Sequence, residues 1–222
     1  MNDPESATDF AVAFALSQEE QARADLYALA ARLLLGPADA ALLGDLAAAD
    51  ALVAGQAGSP LEQAWEKLVL AAGIVEPDAV REEFDGLFVS VGTPPVNPYA
   101  SLYLAGFMME KPLAALRTDL AGLGLARRAG SGELEDHLGA LCEVMRILIG
   151  GAPGMAPQPV PAQKAFFEKH IAPWHVACLN DMRGAEGANF YQRVADFIEA
   201  FFEIEAQAFE MEEAGDEECE LQ

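Results

Sequence analysis

The sequence predicts an all-α protein, a single-domain bundle of about ten helices. Three observations lead there. Hydrophobic residues make up 52% of the 222, with Ala and Leu supplying much of that share. Both lose little on entering a helix, and the β-branched residues that favour strands are sparse. Apolar positions recur at three- and four-residue spacing in one segment after another. No stretch of useful length alternates as a strand does, and no internal repeat is present. Ser, Pro and Gly punctuate those segments where they start and stop helices.

The elements follow in order. Residues 1–16 are expected to form a partly ordered lead-in. Ser17 with Glu20 is a capping box opening a helix that Gly36–Pro37 ends. Leu26, Leu29, Ala30, Leu33 and Leu34 form its apolar stripe. A second helix is expected from Pro37 to about Ala51, through Leu42, Leu43 and Leu46. Ser59, Pro60 and Glu62 supply an N-cap, a Pro at N1 and an acid at N3 for a helix to about Ala72. Pro77 opens the next, through Val80, Phe84, Leu87 and Phe88, into a loop rich in Pro and Gly. Helices are then expected over residues 99–109, 112–123 and 134–149. Residues 150–161 (GGAPGMAPQPVP) read as a linker. Helical signals return at 162–170 and about 173–182, and again at 190–213. The last of these carries Phe190, Val194, Phe197, Ile198, Phe201, Phe202 and Phe209, a face that needs a deep groove. No Lys or Arg follows Arg193, so residues 214–222 are expected to be an acidic tail beyond the 17–213 domain.

Charge narrows the function. The formal net charge is −23. Nucleic-acid binding relies on Lys and Arg against phosphate, and anionic membrane surfaces are disfavoured for the same reason. A cationic partner is the natural complement, although acidity also serves simply to keep an Ala-rich chain in solution. Cys142, Cys178 and Cys219 are odd in number and never form C-x-x-C. They are expected to be reduced thiols rather than a disulfide framework or zinc site. The acidic N-terminus lacks the basic and apolar regions of a signal peptide, and no apolar run approaches the roughly 18 residues of a membrane span. A cytoplasmic location is expected. Nucleotide-binding, nucleophile-elbow and H-E-x-x-H signatures are absent, so neither enzymatic activity nor a cofactor is expected.

Two stretches carry most of the functional information. Residues 84–103 read FDGLFVSVGTPPVNPYASLY and residues 133–137 read ELEDH. The second is expected on the opening turn of the 134–149 helix. There Glu133, Glu135 and Asp136 match the helix dipole as caps. Alternatively, Glu133, Asp136 and His137, at i, i+3 and i+4, flank the Leu134, Leu138, Leu141, Met145 and Leu148 stripe and face a cleft. His137 also reads as a hydrogen-bonded structural histidine. Tyr99 and Tyr103 line a groove or cap the bundle. Met108 and Met109 read as half core, or as an adaptable apolar contact. The Arg127–Arg128 pair reads as a solvated turn.

Together the two stretches resemble the TorD/DmsD/NarJ family of chaperones dedicated to molybdenum-containing redox enzymes. The family pattern approximates L-F-x-G-P-G…P-P-W-x-S-x-Y followed by E-P-x-D-H. Leu87, Phe88, Gly92, Pro98, Ser101 and Tyr103 match its first part; Glu133, Asp136 and His137 match its second. Ser90–Val91, Tyr99 and Leu134 stand where the family has Gly-Pro, Trp and Pro. Phe167, His170 and Trp174 look like its later F-x-x-H-(L/I)-x-x-W element, extending the resemblance from about Ser17 to about Phe209. The resemblance implies a TorD-like fold and client binding through Leu87, Phe88, Gly92, Pro98, Tyr99, Ser101, Tyr103, Glu133, Asp136 and His137. It implies as partner the precursor of a molybdoenzyme, recognised by its twin-arginine leader and held back from export until cofactor is inserted. One alternative is a chaperone of a non-exported respiratory nitrate reductase-type subunit. Another, of a different class, is a helical metal-dependent hydrolase using Asp136 and His137. A monomer is expected, with a domain-swapped dimer hinged at 150–161 as the variant state.

Overall fold

The structure is a computed structural model that describes residues 16–52, 58–89, 92–127, 130 and 132–220, with side chains described as far as Met211. Residues 1–15 of the expected lead-in, Ser90–Val91, Arg128 and the Cys219 side chain lie outside the described residues. The described chain is all helical: α1 (Gln18–Leu35), α2 (Ala40–Ala47), α3 (Pro60–Ala72), α4 (Pro77–Phe84), α5 (Ala100–Ala105), α6 (Lys111–Gly122), α7 (Leu138–Gly150), α8 (Val160–His170), α9 (His175–Gly184) and α10 (Phe190–Glu220). A π-helical turn, Asp85–Val89, extends α4. Among the described residues there is no β-strand, only two isolated bridges.

Helix starts governed by local chemistry fall where the sequence puts them. Ser17 and Glu20 make a full capping box on α1, Ser59 caps α3 ahead of Pro60, and Pro77 opens α4. Several boundaries are corrected. The second helix begins at Ala40 rather than Pro37, because the Asp39 carboxylate accepts the Leu42 amide at 2.8 Å. The 99–109 helix stops at Ala105, where Gly106 takes a left-handed φ of 82°. The linker is shorter than expected, and α8 starts at Val160. The last helix continues past residue 213, its backbone helical to Glu220.

Two groups of helices make the core. In the first, α1 packs along α7, and Gly139 sets how close they come. A Cβ there would lie 2.8 Å from Leu35 Cγ and 3.1 Å from Leu34 Cβ. In the second, α10 packs on α3 and α9. Its expected aromatic face is buried throughout: Phe190, Val194, Phe197, Ile198, Phe201, Phe202 and Phe209 are all in the core. Burial of each such large side chain is worth roughly 1.5–3 kcal/mol. Tyr27 of α1 joins the groups, with its ring 4.7 Å from Phe201 edge-on and 6.0 Å from Phe202.

Polar contacts then lock the packing at chosen points. Arg23 of α1 donates to the Glu205 carboxylate of α10 from Nε and Nη2, at 2.7 and 2.9 Å, and from Nη2 to Gln163 of α8 at 3.0 Å. Glu83 of α4 caps α10 from outside: its carboxylate accepts the amides of Asn189, Phe190 and Tyr191 at 2.8, 3.2 and 2.7 Å. The open amides at a helix start need such an acceptor. No sequence signal beside α10 announces it, since the acceptor comes from a distant helix.

Candidate functional site

The first motif segment begins where α4 changes pitch. Leu87 on the π-helical turn is buried, and its carbonyl accepts the Val96 amide at 3.1 Å. The loop thereby folds back on its own helix, with Val96 fully buried beneath it. Gly92 has φ 105°, a conformation few other residues adopt. Phe88 stays half-buried against Phe84 at 4.9 Å and Tyr191 at 5.2 Å, so the start of α10 rests on the motif helix.

The two motif segments meet directly. Tyr99 and His137 form an isolated antiparallel bridge. The Ala100 amide donates to the Asp136 carbonyl at 2.9 Å, and the Leu138 amide to the Pro98 carbonyl at 2.8 Å. Asp136 is fully buried, and its Oδ2 accepts the Ser101 amide at 2.9 Å, which caps the start of α5. Asp136 Oδ1 and Ser101 Oγ are buried with no hydrogen-bond partner among the described residues. His137 is only 4% exposed. Its Nδ1 accepts the Gly139 amide at 3.0 Å, making it the N-cap of α7, and its ring stands edge-on to Tyr99. Burial pushes the imidazole pKa down from 6.5 to about 4, so the ring is neutral near pH 7.

This corrects the expected geometry of residues 133–137. Helix α7 starts at Leu138, so Glu133, Glu135 and Asp136 precede it as a turn rather than ride its first turn. Leu134 is half-buried and outside the α7 core stripe of Leu138, Leu141, Cys142, Met145, Leu148 and Ile149. His137 faces inward, and Asp136, also buried, lines a small pocket of about 200 Å³ with Leu104, Leu116 and His170. Glu133 is the one of the three that reaches the surface, where its Oε2 accepts the Tyr99 hydroxyl. Burial, then Glu133, raises the Tyr99 pKa.

Glu133 borders a groove of about 710 Å³ between α6, α7 and residues 125–127 and 132–135. Leu120, Leu125, Leu134, Val144 and Ile147 are among its apolar lining, and Glu135, Glu143, Arg127 and Arg146 are its other charged residues. Glu135 holds Arg117 at 3.0 and 2.8 Å, and that guanidinium keeps its carboxyl below the usual range. Arg127 donates to the Gly132 carbonyl at 3.3 Å, bracing the turn.

The third element joins from the other side. Tyr103 stacks on Trp174 at 5.4 Å, and its hydroxyl donates to Asp181 at 2.8 Å. The buried Trp174 indole donates to the His170 carbonyl at 2.7 Å. His170 Nε2 and Lys169 Nζ both reach Asp119 at 2.6 Å. Asp181, Asp119, Arg117 and Glu83 had no signal in the sequence; each is a lone charge whose partner is remote in the chain.

A family model for the nitrate reductase delta subunit matches residues 55–180. The chain belongs to that family. The match spans both motif segments and the Phe167–Trp174 element, and it bears out the TorD/DmsD/NarJ resemblance over that range. Members of the nitrate reductase delta family are maturation chaperones of molybdoenzymes and not enzymes, and this chain is one of them. No curated protein matches the chain. Among the described residues, no group of three or more His, Cys, Asp or Glu side chains could hold a metal ion. Asp136 and His137 are instead engaged by backbone amides. No helix among the described residues is long and apolar enough to cross a membrane.

Proposed function

We propose that this delta-family chaperone holds the precursor of a molybdenum-cofactor oxidoreductase in the cytoplasm by its twin-arginine leader. It delays export until the cofactor is inserted. One observation carries most of the support: Glu133, held by Tyr99, lines an apolar groove in which Glu135 and Glu143 stand beside Arg127 and Arg146. A leader that combines arginines with an apolar run has the complementary chemistry. The protein's net charge of −23 extends the attraction beyond the groove. In this reading Phe88, Tyr99, Tyr103 and Glu133 present the contact surface. Leu87, Gly92, Pro98, Ser101, Asp136 and His137 hold that surface in shape.

Calorimetric titration with the synthetic leader, at low and high salt, tests the proposal. Affinity is expected to weaken with salt and to persist through the apolar contacts, because exposed charges are screened over about 8 Å at physiological ionic strength. No binding at either salt concentration overturns it.

The family match itself favours a second reading, in which the client is a non-exported subunit of nitrate reductase type. Capture of the client from source cells, followed by mass spectrometry of its N-terminus, separates the two. A twin-arginine pair supports the first reading and its absence the second.

A further inference from the structure

The groove beside Glu133 is closer to charge balance than the chain's net −23 implies. A guanidinium stands near each of its three carboxylates. Arg117 of α6 donates to Glu135 at 3.0 and 2.8 Å, and Arg146 of α7 donates to Glu143 at 2.9 Å. Arg127 lines the groove together with Glu133, and its Nη2 donates at 3.3 Å to the carbonyl of Gly132, the residue before Glu133. Arg127 is exposed, as a solvated turn requires, but its charge reaches into the site. The Glu135 carboxyl is lowered first by Arg117 and further by Arg127. The Tyr99 hydroxyl, raised by burial and by Glu133, is drawn the other way by Arg127. The three arginines also differ in what carries them. Arg117 and Arg146 rise from helices, whereas Arg127 sits on residues 125–127, outside any helix. A side chain on such a segment swings aside without disturbing helix packing.

We infer that Arg127 holds, from within the chain, the place that a leader arginine takes at Glu133, and that a leader binds by displacing it. This deepens the leader reading and rests on it. Exchange of one guanidinium for another at the same carboxylate is close to neutral in energy. Net affinity therefore comes from the leader's apolar run on Leu120, Leu125, Leu134, Val144 and Ile147. The arginine supplies selection. An apolar peptide without a cation leaves Arg127 where it is and gains nothing from the carboxylates. One with a cation takes over the place at Glu133 and repels Arg127 from it. Arg127 is in this way a specificity-determining residue of the groove, by competition rather than by contact with the leader.

Calorimetry on the full-length protein tests this with two synthetic peptides. One has an Arg-Arg pair followed by an apolar Leu/Ala run; the other has Gln-Gln in place of the pair. Arg127→Gln is expected to bind the Arg-Arg peptide about three- to five-fold more tightly than wild type, the range of an exposed charge pair. Its affinity is also expected to fall more steeply with salt, because the new ion pair is no longer offset by a lost one. With the Gln-Gln peptide the variant and wild type are expected to be equal. Arg127→Lys keeps the charge and is expected to return the wild-type affinity. Lys67→Gln, on α3 and outside the groove lining, makes the same change in net charge and is expected to bind as wild type. No gain in Arg127→Gln while wild type still binds overturns the inference and leaves the leader reading standing. An equal gain in Lys67→Gln also overturns it, since net charge then suffices. So does an equal gain with the Gln-Gln peptide, which shows no competition with arginine. Binding of the Arg-Arg peptide by Arg127→Gln alone supports the inference. Binding by neither protein sinks the leader reading, and this inference falls with it.

Discussion

The motif residues divide into an inner and an outer half that behave differently. Ser101, Asp136 and His137 are buried; Asp136 Oδ2 accepts the Ser101 amide of α5, and His137 Nδ1 accepts the Gly139 amide of α7. Tyr99 and Glu133, a few residues away in the chain, meet each other at the surface beside an apolar groove. A family motif is thus not a list of contact residues. Part of it builds the junction between two loops, and part is what the junction displays. A substitution in the inner half is expected to act on the fold first and on binding only through it.

Asp136→Ala gives the largest expected effect. It removes a buried carboxylate that accepts the Ser101 amide, and a hydrogen bond to a charged group is worth about 1.5–3 kcal/mol. Thermal unfolding is expected to drop by several degrees, with leader affinity falling alongside it. An unchanged melting temperature with binding lost would move Asp136 to the outer half and break the division.

His137 comes next. His137→Ala removes the cap on Gly139 and is expected to cost about 0.5–2 kcal/mol. His137→Asn keeps a capping side chain and isolates the titration. The folded pKa of about 4 lies below the ordinary 6.5, so the unfolded chain binds the extra proton between those values. Stability contributed by the neutral ring is complete above about pH 6.5. It is lost as pH falls toward about 4, by up to roughly 1.4 kcal/mol per pH unit within that window. His170 and His175 are also shifted down by burial, so the slope must be read as wild type minus His137→Asn. Identical acid profiles for the two proteins would contradict a buried neutral cap.

The outer half should give smaller effects of the opposite kind. Glu133→Gln and Tyr99→Phe are expected to leave the melting temperature within about a degree. Leader affinity should weaken a few-fold and lose part of its salt dependence, since exposed charge pairs contribute about 0–1 kcal/mol. Equal loss at all salt concentrations would argue that Glu133 shapes the turn rather than attracts the client.

The smallest expected effect concerns assembly. A monomer is expected at micromolar concentration, with a minor dimer that grows after refolding at high concentration. In such a dimer α8–α10 exchange through the 151–159 connection and make identical contacts. Light scattering coupled to size-exclusion chromatography measures it, and a dimer that never dissociates on dilution would overturn the monomer.

Sequence alone determined the helical class, the starts of α1, α3 and α4, and the aromatic face of α10. Caps, proline positions and apolar periodicity act within a few residues, so their consequences are written locally. It also singled out the residues of the motif junction, by resemblance. Tertiary structure decided what those residues do. Residues 133–137 look like a helix start because carboxylates there suit a dipole. They form a turn instead, because the Pro98 carbonyl and the Ala100 and Ser101 amides claim the backbone and the Asp136 carboxylate from across the fold. The same holds for Glu83 on α10 and Asp181 on Tyr103. Each is one charged residue whose meaning depends on a partner that only packing brings near.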